Sequence, residues 1–270
     1  MNKSKNKHKF LNIIVLILLV TLIVASSIYI IRNLLNENKQ NNVFKELQNI
    51  IEVPDNEIIL EDDNENTNTI EDNKSIRKNN QTDIEVNLLE LYKRNRDLVG
   101  WIRVNNTNIN YPVMQRDYYY LRRNFNRNTS SYGTPFLAPY CVIRQTDNLI
   151  IYGHHIKSGK MFADLDRYKS KSYYDNHKFI ELYSLESNST IRHTYEICYV
   201  LKKNADNNGF KFYNYFNMSN EEFKEYKIQC NKLALYNTNN EINYGDQLIT
   251  LVTCEYSQKN GRIVVIGRKI

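Results

Sequence analysis

The chain has 270 residues and a modest net charge of +6. Its length suits one domain of about 180 residues with extensions, or two smaller domains. The basic residues form no patch interleaved with aromatic side chains, so we predict no nucleic-acid binding. Four scattered cysteines without a C-x-x-C pair argue against a structural metal site, and the sequence predicts no cofactor.

Residues 10–31 form an uncharged run dominated by Ile, Leu and Val. A helix of this length spans about 33 Å, enough to cross a bilayer core of ~30 Å. Four lysines lie in residues 1–9, whereas Arg32 is the only basic residue close behind the run. Such an excess of positive charge stays in the cytoplasm. We therefore predict a single-pass anchor in the cell membrane, with a cytoplasmic N-terminus and an extracellular remainder.

A cleaved signal peptide is the alternative for this run. Its apolar core would be shorter, at about 7–15 residues, and would end in a small-x-small site. Ala25–Ser27 offers a weak site of this kind, but Ile28–Ile31 continues the apolar run beyond it. The length favours a retained anchor, and both alternatives place the rest of the chain outside the cell.

Residues 32–82 are rich in Asn, Glu and Asp, and residues 46–72 carry ten carboxylates without Lys, Arg or an aromatic residue. Such a segment buries little surface and repels itself, so we predict an extended or partly ordered extracellular linker. Leu47–Ile51 and Ile58–Leu60 are candidates for short helical pieces within it. A calcium site at Glu61–Asp63 is an alternative, but the segment lacks the spaced ligands and the glycine of an EF-hand loop.

Residues 83–270 carry the patterns of a folded domain. Apolar residues recur at helical spacing in residues 83–95, and again over a short stretch at residues 161–168. Gly100–Val104 and Ile109–Val113 read as strands. Further segments with strand signals, some mixed with loop signals, are residues 118–121, 133–137, 148–153, 179–183 and 195–201.

A longer helix is predicted between Met218 and Leu235. Ser219 and Glu222 have the spacing of a capping box at its start, and Phe223 and Cys230 share one face. We expect this face to pack on the sheet, which would place Cys230 in the core.

The last 24 residues predict two strands joined by a loop. Leu248–Val252 and Ile263–Ile266 are rich in aliphatic and β-branched residues, and the polar segment between them ends in Asn-Gly. Cys254 then lies at the end of the first strand and Arg262 at the start of the second. If the two strands are neighbours, the thiol and the guanidinium come close together.

This pairing has a chemical reading and a structural one. A free thiol titrates near ~8.5, so a nucleophilic Cys254 needs a basic partner and a donor for the oxyanion that its attack creates. Arg262 suits that donor role because it stays charged and offers several N–H groups. A buried cysteine beside a surface arginine is the structural reading, and the spacing alone leaves both open.

A candidate base follows another strand. Asn148–Tyr152 is apolar and leads into Gly153-His154-His155. A histidine just past a strand end is well placed for catalysis, and the glycine lets backbone or substrate approach closely. We therefore predict His154 as the acid and base, with His155 as its neighbour without a catalytic role.

The wording of these segments resembles a known family. Thr250-Leu-Val-Thr-Cys254 followed by Arg262 resembles the Thr-Leu-x-Thr-Cys…Arg signature of the sortases, the cysteine transpeptidases of Gram-positive cell surfaces. Gly100-Trp-Ile, Asn106–Val113, Ile151–His155 and Met161-Phe are similar to class B sortases in particular. The resemblance implies a mostly β fold, a closed eight-stranded sortase-type β-barrel with an N-terminal helix and a long helix before the penultimate strand.

The resemblance also implies roles for individual residues. Cys254 would be the nucleophile, His154 the acid and base, and Arg262 the group that stabilises the oxyanion or the substrate carbonyl. Substrate-binding positions would be Tyr152, Val252, Thr253 and Glu255. Val252 occupies a slot where class B enzymes commonly have Ser, so one hydroxyl contact to substrate would be missing.

Class B sortases typically cleave an Asn-Pro-x-Thr-x sorting signal after Thr, form a thioacyl enzyme and pass the acyl group to an amine. The resemblance therefore implies exported protein substrates with a sorting signal, and a lipid-linked peptidoglycan precursor as acceptor at the membrane. Some members polymerise pilins instead. A papain-like Cys/His hydrolase and an inactive surface scaffold are further alternatives, although no Cys-Gly-Ser-Cys-Trp wording surrounds Cys254.

Overall fold

The computed structural model describes residues 2–51, 88–186, 189–205 and 209–270. The chain divides into two compact units, Met1–Glu46 and Leu47–Ile270. Most of the predicted linker, the possible calcium site at residues 61–63 and the start of the predicted helix at Asp83 lie outside the described residues.

Helix α1 (Asn2–Ile51) begins before the predicted anchor and continues beyond it. Asn12–Ile51 is long and apolar enough to cross a membrane, judged by its length and composition. The sequence placed a linker from residue 32 onward, whereas residues 32–51 are helical. This stretch contains no Gly or Pro, and its Leu, Lys, Glu and Gln residues favour a helix.

Eight strands close into a barrel in the order β1-β2-β3-β4-β7-β8-β6-β5. The β2–β3 and β4–β7 pairs are parallel, and the other pairs are antiparallel. The strands are β1 (Leu98–Arg103), β2 (Asn110–Met114), β3 (Phe136–Leu137), β4 (Asn148–Tyr152), β5 (Phe179–Glu186), β6 (Ser189–Asn204), β7 (Leu248–Glu255) and β8 (Gly261–Lys269). Closure removes the exposed edges that an open sheet would leave. The predicted barrel is confirmed.

Within the described residues 88–270, three α-helices accompany the barrel: α2 (Leu88–Arg94), α3 (Lys171–Asn176) and α4 (Asn220–Leu233). The capping box predicted for the long helix α4 is present, since Glu222 N donates to Ser219 Oγ and Ser219 N donates to Glu222 Oε2. Both bonds satisfy N–H groups that a helix start leaves without a partner. Helix α4 precedes β7, the penultimate strand, as predicted.

The barrel core takes up the residues that the sequence marked as apolar. Trp101 is buried, and its indole N–H donates to Asn110 Oδ1 at 2.6 Å. Phe223 and Cys230 on α4 are buried, as predicted, and Cys198 on β6 is buried too. Polar atoms of buried aromatic residues need such partners, because an unpaired buried donor is costly.

Two short segments differ from their predictions. The strand signal at residues 118–121 is wrong, because Tyr119–Arg122 forms a 3-10 helix. Tyr120 is buried there, and its hydroxyl donates to Asp97 Oδ2 at 2.8 Å, so tertiary bonds outweigh the strand propensity of tyrosine. The helical spacing at residues 161–168 corresponds to a second 3-10 helix, Ala163–Lys169.

Candidate active site

Cys254 and Arg262 lie directly opposite each other on neighbouring antiparallel strands. Strands β7 and β8 pair with Cys254 aligned to Arg262 and Val252 aligned to Val264. Residues directly opposite in an antiparallel pair point to the same face, with Cβ atoms about 4.5–5.5 Å apart. The prediction that neighbouring strands bring Cys254 and Arg262 together is therefore confirmed at the level of strand pairing.

The β7–β8 turn depends on a glycine. A Cβ added to Gly261 would lie 2.5 Å from the backbone oxygen of Glu255 and 2.8 Å from its Oε2 atom. Asn260, just before it, has the left-handed φ of 51° that asparagine tolerates better than most residues. The Asn-Gly pair seen in the sequence thus closes the turn that sets Arg262 opposite Cys254.

Cys254 differs from the other three cysteines. Burial raises the pKa of Cys141 and Cys198 to about 11 each, and it raises the pKa of Cys230 further. Cys254 is partly exposed, whereas the other three are buried. Because a thiol must reach its substrate and lose its proton to attack a carbonyl, Cys254 is the cysteine suited to nucleophilic chemistry.

The parallel pairing of β4 with β7 brings the histidines to the same end of the barrel. Tyr152 is aligned with Val252, the last pair of this register, and His154 and Cys254 each follow two residues later on their own chain segment. Two bonds fix this junction: Gly153 N donates to Val252 O at 3.1 Å, and Thr253 Oγ1 donates to Gly153 O at 2.8 Å.

Gly153 itself leaves no room for a side chain. A Cβ at this position would lie 2.5 Å from the Phe162 ring. The sequence predicted an approach by backbone or substrate at this glycine, whereas the structure places a side chain against it. The approaching group is a core aromatic ring.

The His154 ring is fixed by a carbonyl. Its Nε2 atom lies 2.8 Å from Leu121 O. A carbonyl oxygen only accepts, so Nε2 carries the proton, and in the neutral ring Nδ1 keeps a free lone pair. Leu121 belongs to the 3-10 helix that the sequence did not predict, so this partner could not be anticipated.

His155 contacts the backbone of Cys254. Its Nδ1 atom donates to Cys254 O at 3.0 Å, and Tyr256 Oη donates to His155 O at 2.9 Å. The His155 and Tyr256 rings lie 4.9 Å apart. These bonds tie the segment after β4 to the end of β7, which gives His155 a structural contact with the strand that carries the thiol.

Thr253 and Glu255 point to the opposite face of the sheet from Cys254, because side chains alternate along a strand. Both are buried at 2 % exposure. Glu255 Oε1 accepts from Lys169 Nζ at 3.2 Å and from Ser257 N at 3.0 Å, and Lys202 Nζ lies 3.8 Å from Oε2. The structure does not bring these two predicted substrate-binding side chains to the face of the thiol.

The charge of Glu255 is stabilised in place. Burial alone would raise the pKa of its carboxyl group, but the bonds from Ser257 and Lys169 outweigh burial and hold the pKa below its ordinary value. Glu255 is therefore ionised at neutral pH, and its two lysines compensate a charge that would otherwise be costly to bury. Neither lysine stood out in the sequence, because both are distant from Glu255 along the chain.

A groove of about 520 Å³ is lined by residues that share a sheet face with Cys254, although neither Cys254 nor His154 is among its lining residues. Tyr152, Val252 and Arg262 line it, so two of the four predicted substrate-binding residues lie where a substrate could bind. Its other lining residues are Tyr118, Tyr140, Lys203, Asn204, Ala205, Phe210, Lys211, Phe212, Tyr213 and Asn214. Most of these come from the end of β6 and the segment after it, where the sequence gave no functional signal.

Tyr152 forms part of an aromatic wall in this groove. Its hydroxyl lies 3.5 Å from that of Tyr140, and its ring lies 5.6 Å from that of Phe136. Burial raises the pKa of Tyr152 above its ordinary value, so the phenol stays neutral. A second depression, of about 570 Å³, is lined by Cys198 and residues of the α4–β7 connection, and none of the predicted site residues takes part in it.

Comparisons with known proteins agree with this geometry. The family model of the sortase domain matches residues 102–270. Sortase B of Staphylococcus aureus is 30% identical over 191 residues, which covers 67% of this chain and 73% of the relative. Sortase B of Listeria monocytogenes is 30% identical over 222 residues, covering 78% of this chain and 87% of the relative.

Solved structures of class B sortases are also similar to this chain. Sortase B of Bacillus anthracis, in complex with AAEK1, superposes with a TM-score of 0.64 at 25% identity, covering 88% of this chain and 99% of that one. Sortase B of Clostridium perfringens superposes with a TM-score of 0.61 at 29% identity, covering 67% of this chain and 98% of that one. With the matching barrel and the Cys254–Arg262 pair, the chain belongs to the class B sortases, a group of cysteine transpeptidases.

Proposed function

We propose that this class B sortase is a membrane-anchored transpeptidase that cleaves a sorting signal of the Asn-Pro-x-Thr-x type and transfers the acyl part to a peptidoglycan amine. The observation that carries the proposal is the alignment of Cys254 with Arg262 across β7 and β8, at the end of β4 where His154 follows. The similarity to an S. aureus sortase B solved in complex with its substrate supports it.

Cys254 is the nucleophile in this proposal and His154 is the acid and base. Cys254 Sγ attacks the carbonyl carbon of the scissile bond after its proton passes to the Nδ1 atom of His154. That proton then moves to the leaving amine, the C–N bond breaks, and a thioester remains on Cys254. The bond from His154 Nε2 to Leu121 O leaves Nδ1 as the accepting nitrogen.

Arg262 stabilises the negative oxygen that forms during each attack. Its side chain lines the groove on the same face as Cys254, and its Nη1 atom also donates to Gly261 O at 2.8 Å. A fixed, permanently charged donor near the developing oxyanion lowers the barrier without reorganising at the moment of reaction. The bond to Gly261 O limits the motion of the guanidinium.

The second half of the reaction returns the enzyme to its starting state. An amine attacks the thioester carbon and gives a proton to His154. The C–S bond breaks as the new amide forms, and the Cys254 thiolate that leaves takes the proton back from His154. Water competes for the same thioester, so transfer depends on a bound, oriented amine. A lipid-linked peptidoglycan precursor fits this role because enzyme and acceptor would share the membrane surface.

The domain organisation belongs to the same proposal. Residues 1–9 would be cytoplasmic, residues 10–31 would cross the membrane, residues 32–82 would link anchor and enzyme, and residues 83–270 would form the extracellular catalytic domain. The charge asymmetry around residues 10–31 supports this orientation. The apolar helix Asn12–Ile51 supports the anchor.

The experiment uses the full chain in detergent micelles with fluorogenic Asn-Pro-x-Thr-x and Leu-Pro-x-Thr-Gly peptides, and with triglycine and a diaminopimelate-type amine as acceptors. We expect cleavage of the first peptide and an amide product that requires the amine. Cleavage of the second peptide alone would contradict the signal assignment. Release of hydrolysed peptide only, at every amine concentration, would contradict transpeptidation.

A further inference from the structure

A second positively charged residue, Lys203, lies beside Arg262 on the sheet face that carries the Cys254 side chain. Strands β8 and β6 pair with Arg262 aligned to Lys203, just as β7 and β8 align Cys254 with Arg262. Directly opposed residues in antiparallel pairs share a face, so Cys254, Arg262 and Lys203 form one row across three strands. Lys203 also lines the groove that contains Arg262, Tyr152 and Val252.

This row places two positive charges next to each other, and no carboxylate of the described residues lines the groove beside them. The groove lining contains Arg262, Lys203 and Lys211 but neither Asp nor Glu, as far as the described residues show. Arg262 donates to a backbone carbonyl, and Lys203 makes no ion pair within the described part of the chain. Partial burial lowers the pKa of Lys203, which is the direction expected for a cation that lacks an anionic neighbour.

The neighbouring lysine shows the contrast. Lys202 points to the other face, where its Nζ atom bonds to Ser257 Oγ at 2.6 Å and lies 3.8 Å from Glu255 Oε2. The fold thus satisfies one of two consecutive lysines internally and leaves the other directed at the groove. Like charges placed directly opposite each other destabilise a sheet, so the Lys203–Arg262 pair is unfavourable until an anion binds.

We propose that Lys203 determines substrate specificity by binding an acidic side chain of the sorting signal. This inference rests on the proposed function and narrows it: the preferred signal carries Asp or Glu close to the scissile bond. A carboxylate is the group that a peptide can offer to a lysine beside an arginine, and it would relieve the repulsion between them.

The spacing of the strands gives the distance between Lys203 and the nucleophile Cys254. Neighbouring strands lie about 4.8 Å apart, so Lys203 is about 10 Å from Cys254 at the level of the backbone. An extended peptide advances about 3.3 Å per residue. The acidic residue therefore lies within about four residues of the scissile bond.

The rest of the groove favours a peptide over a small carboxylate. Tyr118, Tyr140, Tyr152, Phe210 and Phe212 give it a wall of aromatic rings, which binds apolar and proline side chains of an extended segment. A carboxylate of the acceptor amine is the competing ligand for Lys203. Such a carboxylate would bind the ammonium of Lys203 but would not require the aromatic rings of the groove.

The test measures peptide binding to full-length Cys254→Ala protein in detergent, so that binding is read without turnover. Labelled Asn-Pro-x-Thr-x peptides with two flanking residues on each side carry Glu, Gln or Lys at one position at a time. At one position within four residues of the scissile bond, we expect Glu to bind about 3- to 10-fold more tightly than Gln, and Lys more weakly. The preference for Glu should shrink as salt increases.

The variants separate Lys203 from general charge effects. Lys203→Gln should remove the preference for Glu, and Lys203→Glu should reverse it toward Lys. Lys224→Glu makes the same charge change on an exposed position of α4 and should keep the preference. Thermal unfolding of each variant confirms that the comparison is between folded proteins.

The possible results distinguish the role of Lys203 from the proposed transpeptidase function. Peptides that bind with no charge preference, or a preference that persists in Lys203→Glu, would overturn the role of Lys203 while leaving the transpeptidase proposal intact. A change only in the affinity for a carboxylate-bearing acceptor amine would also overturn it. If the wild-type chain cleaves no sorting peptide in parallel assays, the proposed function fails as well.

Discussion

The two faces of the sheet at the end of β7 differ in how their charged side chains are paired. On one face, Glu255 is buried and its charge is matched by Lys169, Lys202 and the Ser257 amide. On the other face, the guanidinium of Arg262 and the ammonium of Lys203 meet a groove without a carboxylate in its described lining. Satisfied charges hold a strand end in place, whereas uncompensated charges are available to a substrate and to a developing oxyanion.

Substituting the two histidines, His154 and His155, should give the largest difference in activity. Replacing His154 with Gln should lower kcat/KM by about 10²–10⁴-fold, because Gln keeps the ring's bulk and polarity in part but cannot exchange protons. His155→Gln should cost much less, since His155 donates to the Cys254 carbonyl and a Gln amide can do the same. Steady-state kinetics of both variants with the same peptide makes the measurement. Equal losses would show that the assignment of the base to His154 is wrong.

The next largest loss of activity is expected for Arg262→Lys. The variant keeps the positive charge but loses the guanidinium fork, so kcat should fall by about 10²–10³-fold while peptide affinity changes less. Arg268→Lys is the matched control on the same strand, where Arg268 lies 3.6 Å from Glu196 and is absent from the groove. Near-normal turnover by Arg262→Lys would refute the role of the guanidinium.

Glu255→Gln should affect stability more than chemistry. The buried carboxylate loses its charge-assisted bonds to Lys169 and Ser257, so the free energy of unfolding should fall by about 1–3 kcal/mol. The pKa of Glu255 is lowered in the folded state, so its contribution is present at neutral pH and is lost as the pH falls through the folded-state pKa.

Urea unfolding between pH 7 and pH 3 measures this contribution. The difference between wild type and Glu255→Gln should be largest at pH 7 and should narrow toward pH 3. Glu225→Gln, on an exposed position of α4, serves as the control. A difference that stays constant with pH would mean that the ionised carboxylate contributes nothing.

The smallest expected effect concerns the bond between β7 and the residue before His154. Thr253→Val keeps the shape of the side chain but removes the Thr253 Oγ1 bond to Gly153 O, at a cost of about 1 kcal/mol. We expect a modest fall in melting temperature and a loss of activity of less than about tenfold. Thr129→Val is the control for loss of a hydroxyl bond away from the site, because the exposed Thr129 Oγ1 accepts from Arg123 Nη1 at 3.0 Å. A loss as large as that of His154→Gln would show a direct role in chemistry.

Several strands, the helix α4 and the reactive end could be predicted because their signals are local, whereas the closed barrel followed only from the resemblance to the sortases. Aliphatic strands, the Asn-Gly turn and the Ser219–Glu222 capping box each depend on neighbours in sequence. The 3-10 helix at Tyr119–Arg122 could not be predicted, because it depends on bonds from Tyr120 to distant side chains.

The same reasoning applies to the site. Cys254, His154 and Arg262 stand at strand ends that the sequence reveals. Lys203 does not stand out, because its place in the row depends on how β6 pairs with β8. The surroundings of Glu255 could not be predicted either, because its ion pairs with Lys169 and Lys202 join residues that are distant in sequence.

The central claim is that Cys254 forms a thioester with a sorting signal, and intact-mass measurement tests it most directly. The full chain is mixed with an Asn-Pro-x-Thr-x peptide without amine, quenched in acid and analysed before and after digestion. We expect a mass increase equal to the acyl part of the peptide, located on Cys254, reversed by hydroxylamine and absent from Cys254→Ala. Peptide cleavage that continues in Cys254→Ala, or an adduct on Cys141, Cys198 or Cys230, would contradict it.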